Sequence, residues 1–428
     1  MALTNNVADR TTPLRTLAVS FSYPPLIYPR SVQVARLLRW SNVDVDVVCA
    51  EQDYLKDPTI DPCAESFLKA CLRVPFAHAH WENLFSIISS KLKLPLWHKT
   101  PDEFTSWKSA VLQRIADHFE GKSNTPDVLV TFGQPMTDHL IGLNVARYYQ
   151  LPWVAHFSDP WLDNPLVKLD SLTRLFVSRQ ESQVMTHADR LVFTSQETLR
   201  LVMARYSADI AAKARVLPHS FEPERYPESK GRPNDKLVIR YIGAFYGHRM
   251  PHPLFAGLRH VVDTSPAILN DVRFELIGWM EQETISSAEL INLPEGLIVT
   301  KPPVSYEESL RSMRSADGLI VVDAQADCSV FLPSKLIDYI GAGRPILGIT
   351  PPGTAASLIA EVGGWVANPV DAEQIATAIS GFVRFLRQDR NGSARMWGEA
   401  SVRDRFEAKR IGQEFNRILL ESIDERRQ

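Results

Sequence analysis

Apolar positions in this chain come in short runs separated by longer amphipathic stretches. In the first half the runs are 14–22, 44–50, 127–132, 153–157 and 190–194. In the second half they are 237–242, 273–277, 297–300, 318–323, 345–349 and 364–367. Rich in Val, Ile and Leu, they read as parallel strands buried on both faces. Between them, segments such as 31–40, 137–149, 306–314 and 372–386 repeat apolar residues at helical spacing. Strand–helix alternation on this scale predicts an α/β protein of two doubly wound, Rossmann-like domains. The last stretch, 402–426, reads as one long charged helix.

The pattern is interrupted at 218–235, where four prolines, a glycine and several charges break periodicity as a linker would. The expected organisation is an N-terminal domain over 1–217, the linker 218–235, a C-terminal domain over 236–395, and a final helix in 396–428 that packs back on the N-terminal domain. Open α/β sheets bind ligands at the C-terminal ends of their strands. Two such domains facing each other would place an active site in the cleft between them.

Composition narrows the function. Forty-seven Lys and Arg against 50 Asp and Glu leave a net charge of −3, so nucleic acid is not an expected partner. The first fifteen residues lack an apolar core of the secretory kind, and no run approaches the length of a membrane span. The four cysteines, Cys49, Cys63, Cys71 and Cys328, form no C-x-x-C pair and fit reduced thiols in a cytoplasmic protein. Asp44-Val-Asp46 fits a metal-binding D-x-D pattern, but it opens a strand at the end away from the expected cleft. It reads as structural, and no metal is expected.

The richest segment is Phe331-Leu-Pro-Ser-Lys-Leu-Ile-Asp-Tyr-Ile-Gly-Ala-Gly-Arg-Pro-Ile-Leu. Pro333 and Ser334 are helix-start residues, with Ser334 a candidate N-cap. A helix N-terminus suits a diphosphate through its free N–H groups and its dipole. Lys335 would add charge there. Asp338, on the same side as Ser334, could accept hydrogen bonds from the two hydroxyls of a ribose. The residues alone are equally compatible with a helix that is simply capped and then ended by Gly341 and Gly343.

The run from Pro333 to Ile346 resembles the donor-site signature of family-4 glycosyltransferases of the GT-B fold. In that family an acidic residue five before the second glycine contacts the nucleotide ribose, which implies that role for Asp338. The family's usual residue is Glu, and Val330 stands where many members carry a second Glu. Other segments resemble the family in the same order. Residues 20–31 resemble the loop after the first strand, with Ile27, Tyr28 and Pro29 where members have glycines and Arg30 as a substitute donor ligand. Residues 151–165 carry an H-x-x-D stretch, which implies catalytic-site roles for His156 and Asp159. Residues 188–195 resemble the last strand of the N-terminal domain. Residues 240–249 resemble the first strand and loop of the donor domain, with Gly243 allowing close approach and Arg249 or His248 meeting the diphosphate.

The resemblance implies two Rossmann-like domains facing across a cleft and a retaining, metal-independent, hexosyl-type glycosyltransferase. Its donor would be a nucleotide-diphosphate sugar, a substrate and not a cofactor; its acceptor, a glycan or lipid-linked molecule of polysaccharide biosynthesis. Two alternatives remain, a nucleotide-sugar epimerase of the same fold and a non-catalytic scaffold. Trp161 reads as a packing residue or as a platform for a sugar. Trp81, Leu84, Phe85, Ile88 and Leu92 recur at helical spacing before Lys91, Lys93, His98 and Lys99. That pattern fits peripheral contact with the inner face of the cell membrane or an apolar face packed on the sheet.

Overall fold

The structure, a computed structural model, describes residues 12–26, 28–51, 64–76, 101–121, 125–228, 236–389 and 396–427. The amphipathic segment around residues 81–99 and Cys63 lie outside the described residues. The chain forms two units, one of residues 1–218 and 408–428, the other of residues 219–407.

The first unit carries a seven-stranded sheet of β1 (Leu14–Val19), β2 (Val43–Glu51), β3 (Ala70–Pro75), β4 (Val128–Gly133), β5 (Trp153–Phe157), β6 (Arg190–Phe193) and β7 (Ala214–Val216). The order is β3-β2-β1-β4-β5-β6-β7, and every pairing is parallel. Strand residues alternate between two cores, as the pleat requires. Leu17 and Val19 enter one core with Trp107, Val111, Ile141 and Val184. Leu14 and Ala18 enter the other with Val34, Leu38, Phe415 and Leu419. The C-terminal helix Ala408–Arg427 thus belongs to the first unit's sheet.

The second unit carries β8 (Leu237–Ile242), β9 (Val272–Ile277), β10 (Ile298–Lys301), β11 (Gly318–Val322), β12 (Ile346–Ile349) and β13 (Trp365–Ala367). Its order is β10-β9-β8-β11-β12-β13, again all parallel. Ile320 and Val322 pack with Phe255, Ile375, Ile379 and Phe382 on one face. Leu319 and Val321 pack with Leu336, Ile337, Ile340 and Phe406 on the other.

Two details differ from the sequence reading. The segment 402–426 is not one helix: it runs as Ala400–Arg403, a 3-10 turn Asp404–Phe406, and then Ala408–Arg427. Glu407 is extended, with φ −64° and ψ 136°, and bridges to Phe221 where the chain passes from one unit to the other. Ser334 is the first helical residue and not the N-cap. Pro333 holds that position at φ −62° and ψ 128°, since a ring-fixed φ is compatible with the extended conformation a cap needs. At the other end Gly343 closes the helix at φ +59°, the left-handed conformation that glycine adopts without strain.

Candidate functional site

Strand order reverses at one place in each sheet, between β1 and β4 and between β8 and β11. At such a point neighbouring connections leave to opposite sides and open a crevice beyond the strands' C-terminal ends. Some of the residues singled out from the sequence lie on the segments that follow β1 and β8.

In the second unit, Gly243 directly follows β8 and Asp323 directly follows β11. Gly243 has φ +135°, and a Cβ there would stand 2.6 Å from Lys335 Nζ. The missing side chain therefore makes room for the ammonium group, which donates to Tyr241 Oη at 2.5 Å. Arg249 reaches the same place and donates through Nη2 to Asp323 Oδ1 at 3.0 Å. That carboxylate also accepts from Ala324 N at 2.9 Å and, through Oδ2, from Ser329 Oγ at 3.1 Å. Burial and the nearby Arg249 charge pull the Lys335 ammonium well below the ordinary lysine range, against the opposing pull of Asp323. Burial works against Arg249's charge too, but Asp323 outweighs it and raises that pKa. An anion bound at this strand end would favour the charged form of Lys335, which burial and Arg249 oppose.

Asp338 lies in the middle of helix Ser334–Ala342 and is 9% exposed. Its Oδ1 accepts from Tyr306 Oη at 3.3 Å, and its carbonyl from Tyr226 Oη at 2.8 Å. Ser334 is half-buried and His248 is exposed. The loop carrying Val330 is pinned, its carbonyl accepting from Thr354 Oγ1 at 3.0 Å.

In the first unit, Arg30 occupies the first turn of helix Pro29–Arg39, with Pro29 as the first helical residue. The residue is buried and donates through Nη2 to His156 Nδ1 at 3.0 Å and to the His156 carbonyl at 3.2 Å. Burial lowers its pKa to about 10, while Asp159 and Asp138 hold its charge. Asp138 accepts from Phe21 N at 2.7 Å just past β1. Burial lifts the Asp138 carboxyl well above the usual range. His139 bonds Thr131 Oγ1 at 2.8 Å, and burial followed by the charge of Arg30 lowers its pKa to about 3. Arg30, His156, Asp159 and Asp138 thus form one interacting group; Gly243, Arg249, Lys335 and Asp323 form another.

The remaining sequence candidates have structural partners. Asp44 pairs with Lys69 at 3.5 Å and Asp46 with His118 at 3.2 Å, both on β2. Trp161 is packed in the core. Sequence reasoning did not assign Asp323, Tyr241, Ser329, Asp138 or Tyr306. The one signal for Asp323 was a lone carboxylate ending the apolar run Gly318–Val322. Among the described residues no helix is long and apolar enough to cross a membrane.

No protein-family model matches the chain. No curated protein matches it by sequence. Solved structures do match over almost the whole chain. Anabaena HepE in complex with UDP and glucose aligns with a TM-score of 0.67 at 13% identity, covering 95% of this chain and 99% of that one. Sucrose-phosphate synthase from Thermosynechococcus elongatus aligns at 0.64 and 15% identity, covering 94% and 98%. A Listeria monocytogenes protein described as a UDP-N-acetylglucosamine 2-epimerase aligns at 0.61 and 11% identity, covering 97% and 98%. With two parallel-sheet α/β units of seven and six strands, the chain has the GT-B fold.

Proposed function

We propose that this protein is a glycosyltransferase of the family-4 type that takes a hexosyl group from a nucleotide-diphosphate sugar bound by its second unit. The observation that carries the reading is the placement of Lys335 and Arg249 around Gly243 at the β8/β11 switch point. Departure of a nucleoside diphosphate builds negative charge on its phosphate oxygens. The Arg249 guanidinium, and Lys335 once a bound anion favours its ammonium form, would stabilise that charge without reorganising as it forms, which is the basis for proposing metal-independent transfer. Asp338 would accept from the ribose hydroxyls, and Ser334 would lie at the phosphate end of the same helix. The fold likeness to HepE, which binds UDP and glucose, favours such a donor. Retention of anomeric configuration and a glycan or lipid-linked acceptor of polysaccharide biosynthesis follow from the family resemblance. Cytoplasmic residence, with peripheral contact at the membrane's inner face, completes the proposal.

The test is calorimetric titration of nucleoside diphosphates, in EDTA, into wild type, Asp338→Ala and His156→Ala. Removing Asp338 strips charged hydrogen bonds worth roughly 1.5–3 kcal/mol each, an affinity loss on the order of tenfold to a hundredfold per bond. His156→Ala should bind nucleotide normally and lose turnover. Wild-type affinity in a folded Asp338→Ala variant would move the donor site elsewhere. Turnover that EDTA abolishes and magnesium or manganese restores would overturn metal independence. The likeness to the Listeria protein favours a second reading, a nucleotide-sugar epimerase. Epimer formed without acceptor would establish it, and nucleotide binding with neither reaction would indicate a scaffold.

A further inference from the structure

Lys335 is the second residue of helix Ser334–Ala342. The residue as a whole is half-buried, but its nitrogen is turned in against the sheet. Nζ stands 3.9 Å from the centre of the fully buried Tyr241 ring and 2.5 Å from its Oη. The Tyr241 hydroxyl spends its own proton on the Ala244 carbonyl at 3.0 Å, so it accepts from Lys335. A neutral amine and an ammonium both have an N–H for that bond, so the contact does not require a charge.

What the nitrogen lacks is a counter-ion. Among the described residues no carboxylate pairs with Lys335. Asp323, at the end of β11, is taken by Arg249 Nη2 at 3.0 Å, Ala324 N at 2.9 Å and Ser329 Oγ at 3.1 Å. Burial keeps the Tyr241 phenol protonated, so β8 brings no negative charge. On the helix itself Tyr339 Oη accepts from Ile242 N at 2.8 Å, and Asp338 Oδ1 accepts from Tyr306 Oη at 3.3 Å. Arg249, on the loop after β8, faces Lys335 with a like charge. A buried amine beside a cation and without an ion pair is favoured in its neutral form. The Tyr241 ring face and the charge of Asp323 favour the ammonium, but desolvation and then Arg249 oppose it and prevail. An anion at this strand end would supply the missing counter-charge.

We propose that Lys335 makes anion binding at the β8/β11 strand end a proton-coupled event: it is a neutral amine in the empty protein and takes one proton from solvent when a diphosphate binds. The proton goes onto the amine lone pair, no other bond changes, and it returns to solvent on release. That the anion is a nucleoside diphosphate rests on the glycosyl-transfer reading; the neutral amine in the empty protein does not. The midpoint of Lys335 is then lower in the empty protein than in the complex. Affinity is full below the lower midpoint and falls as pH rises between the two, by at most about tenfold per pH unit.

Carbon NMR of the full chain, labelled at lysine Cε, reads the charge of Lys335 directly, with Lys335→Met assigning the signal. The expected midpoint lies below the ordinary lysine value of about 10.4 and rises when inorganic sulfate replaces chloride at equal ionic strength. A wild-type protein in which every lysine titrates near about 10.4 overturns the proposal without any variant. So does a Lys335 midpoint that concentrated sulfate leaves unmoved. Calorimetry with UDP-glucose supplies the second arm, because its two phosphates stay ionised across this range and any proton taken up goes to the protein. Titrations in buffers of different ionisation enthalpy should show uptake approaching about one proton per ligand between the two midpoints. Lys335→Arg, charged at every pH used, should bind with no uptake and with affinity flat across the window. The same uptake in Lys335→Arg or Lys335→Met would place the proton on another group and overturn the proposal. Failure of UDP-glucose to bind counts against the donor reading alone, and the sulfate arm still decides the role of Lys335.

Discussion

Gly243 is where one residue's chemistry can be tested most cleanly. At φ +135° a side chain is strained whatever space surrounds it, and a Cβ would stand 2.6 Å from Lys335 Nζ. Gly243→Ala therefore combines backbone strain of about 1–3 kcal/mol with displacement of the ammonium group. We expect a melting temperature lower by a few degrees per kcal/mol and nucleoside diphosphate affinity weakened about tenfold or more. A folded Gly243→Ala protein that binds like wild type would show that no phosphate sits at this strand end. Sequence reached this glycine, Arg249, Lys335 and Asp338 because each belongs to a local string with a recognisable order. It did not reach Asp323 or Asp138. Their roles depend on partners far along the chain, Arg249 for one and the Phe21 amide for the other. Nothing near either carboxylate announces such a partner.

The fully buried strands were the easiest elements to read. Central strands such as β4, β8 and β11 are apolar because helices cover both faces. The two strands the pattern missed, β3 and β7, lie at the edges of the first sheet. β3 includes Arg73 and ends at Pro75, and β7 is three half-buried residues. Edge strands need no continuous apolar run, so the pattern can miss them, although it did read β10 and β13 at the edges of the second sheet. A polar residue inside a strand can still hold neighbours together. Glu275 on β9 accepts from Arg240 on β8 at 2.7 Å and from Lys301 on β10 at 2.8 Å. Burial pushes its pKa up, but the bonds from Lys301 and Arg240 prevail and hold it below the ordinary glutamate value. A carboxylate with a depressed folded-state pKa stabilises fully above its unfolded pKa of about 4.3. That contribution fades as pH falls through the lower folded value. Glu275→Gln should cost about 1.5–3 kcal/mol at neutral pH, the range for hydrogen bonds to a charged group. The gap between variant and wild type in denaturant melts should close as pH drops below about 4.3. A gap that stays constant to pH 3 would mean that the charge on Glu275 contributes nothing.

At the scale of the molecule, the chain's path makes the two units unequal in how they can be cut. The first unit is built from both ends of the chain. Its C-terminal helix supplies Ile411, Phe415, Ile418, Leu419 and Ile423 to one face of the sheet. Asn42 N donates to Asn416 on that helix at 3.0 Å, and Arg190 pairs with Glu421 at 3.2 Å. Burial of five such side chains is worth about 1.5–3 kcal/mol each, comparable in sum to the whole stability of a domain, about 5–15 kcal/mol. Ending the chain at Glu407 should therefore unfold the first unit. The second unit has what it needs within residues 219–407. Phe221 from its start and Val402 and Phe406 from its end close one of its cores. Gly243, Arg249, Asp323, Lys335, Asp338 and Tyr306 all lie inside it. Produced alone, residues 219–407 should melt cooperatively and bind nucleoside diphosphates within a few-fold of the full chain's Kd, a difference under about 1 kcal/mol. Calorimetry on the fragment decides the matter. A folded fragment with affinity reduced more than tenfold would show that the donor site draws on residues of the first unit, and Arg30 would be the first to examine.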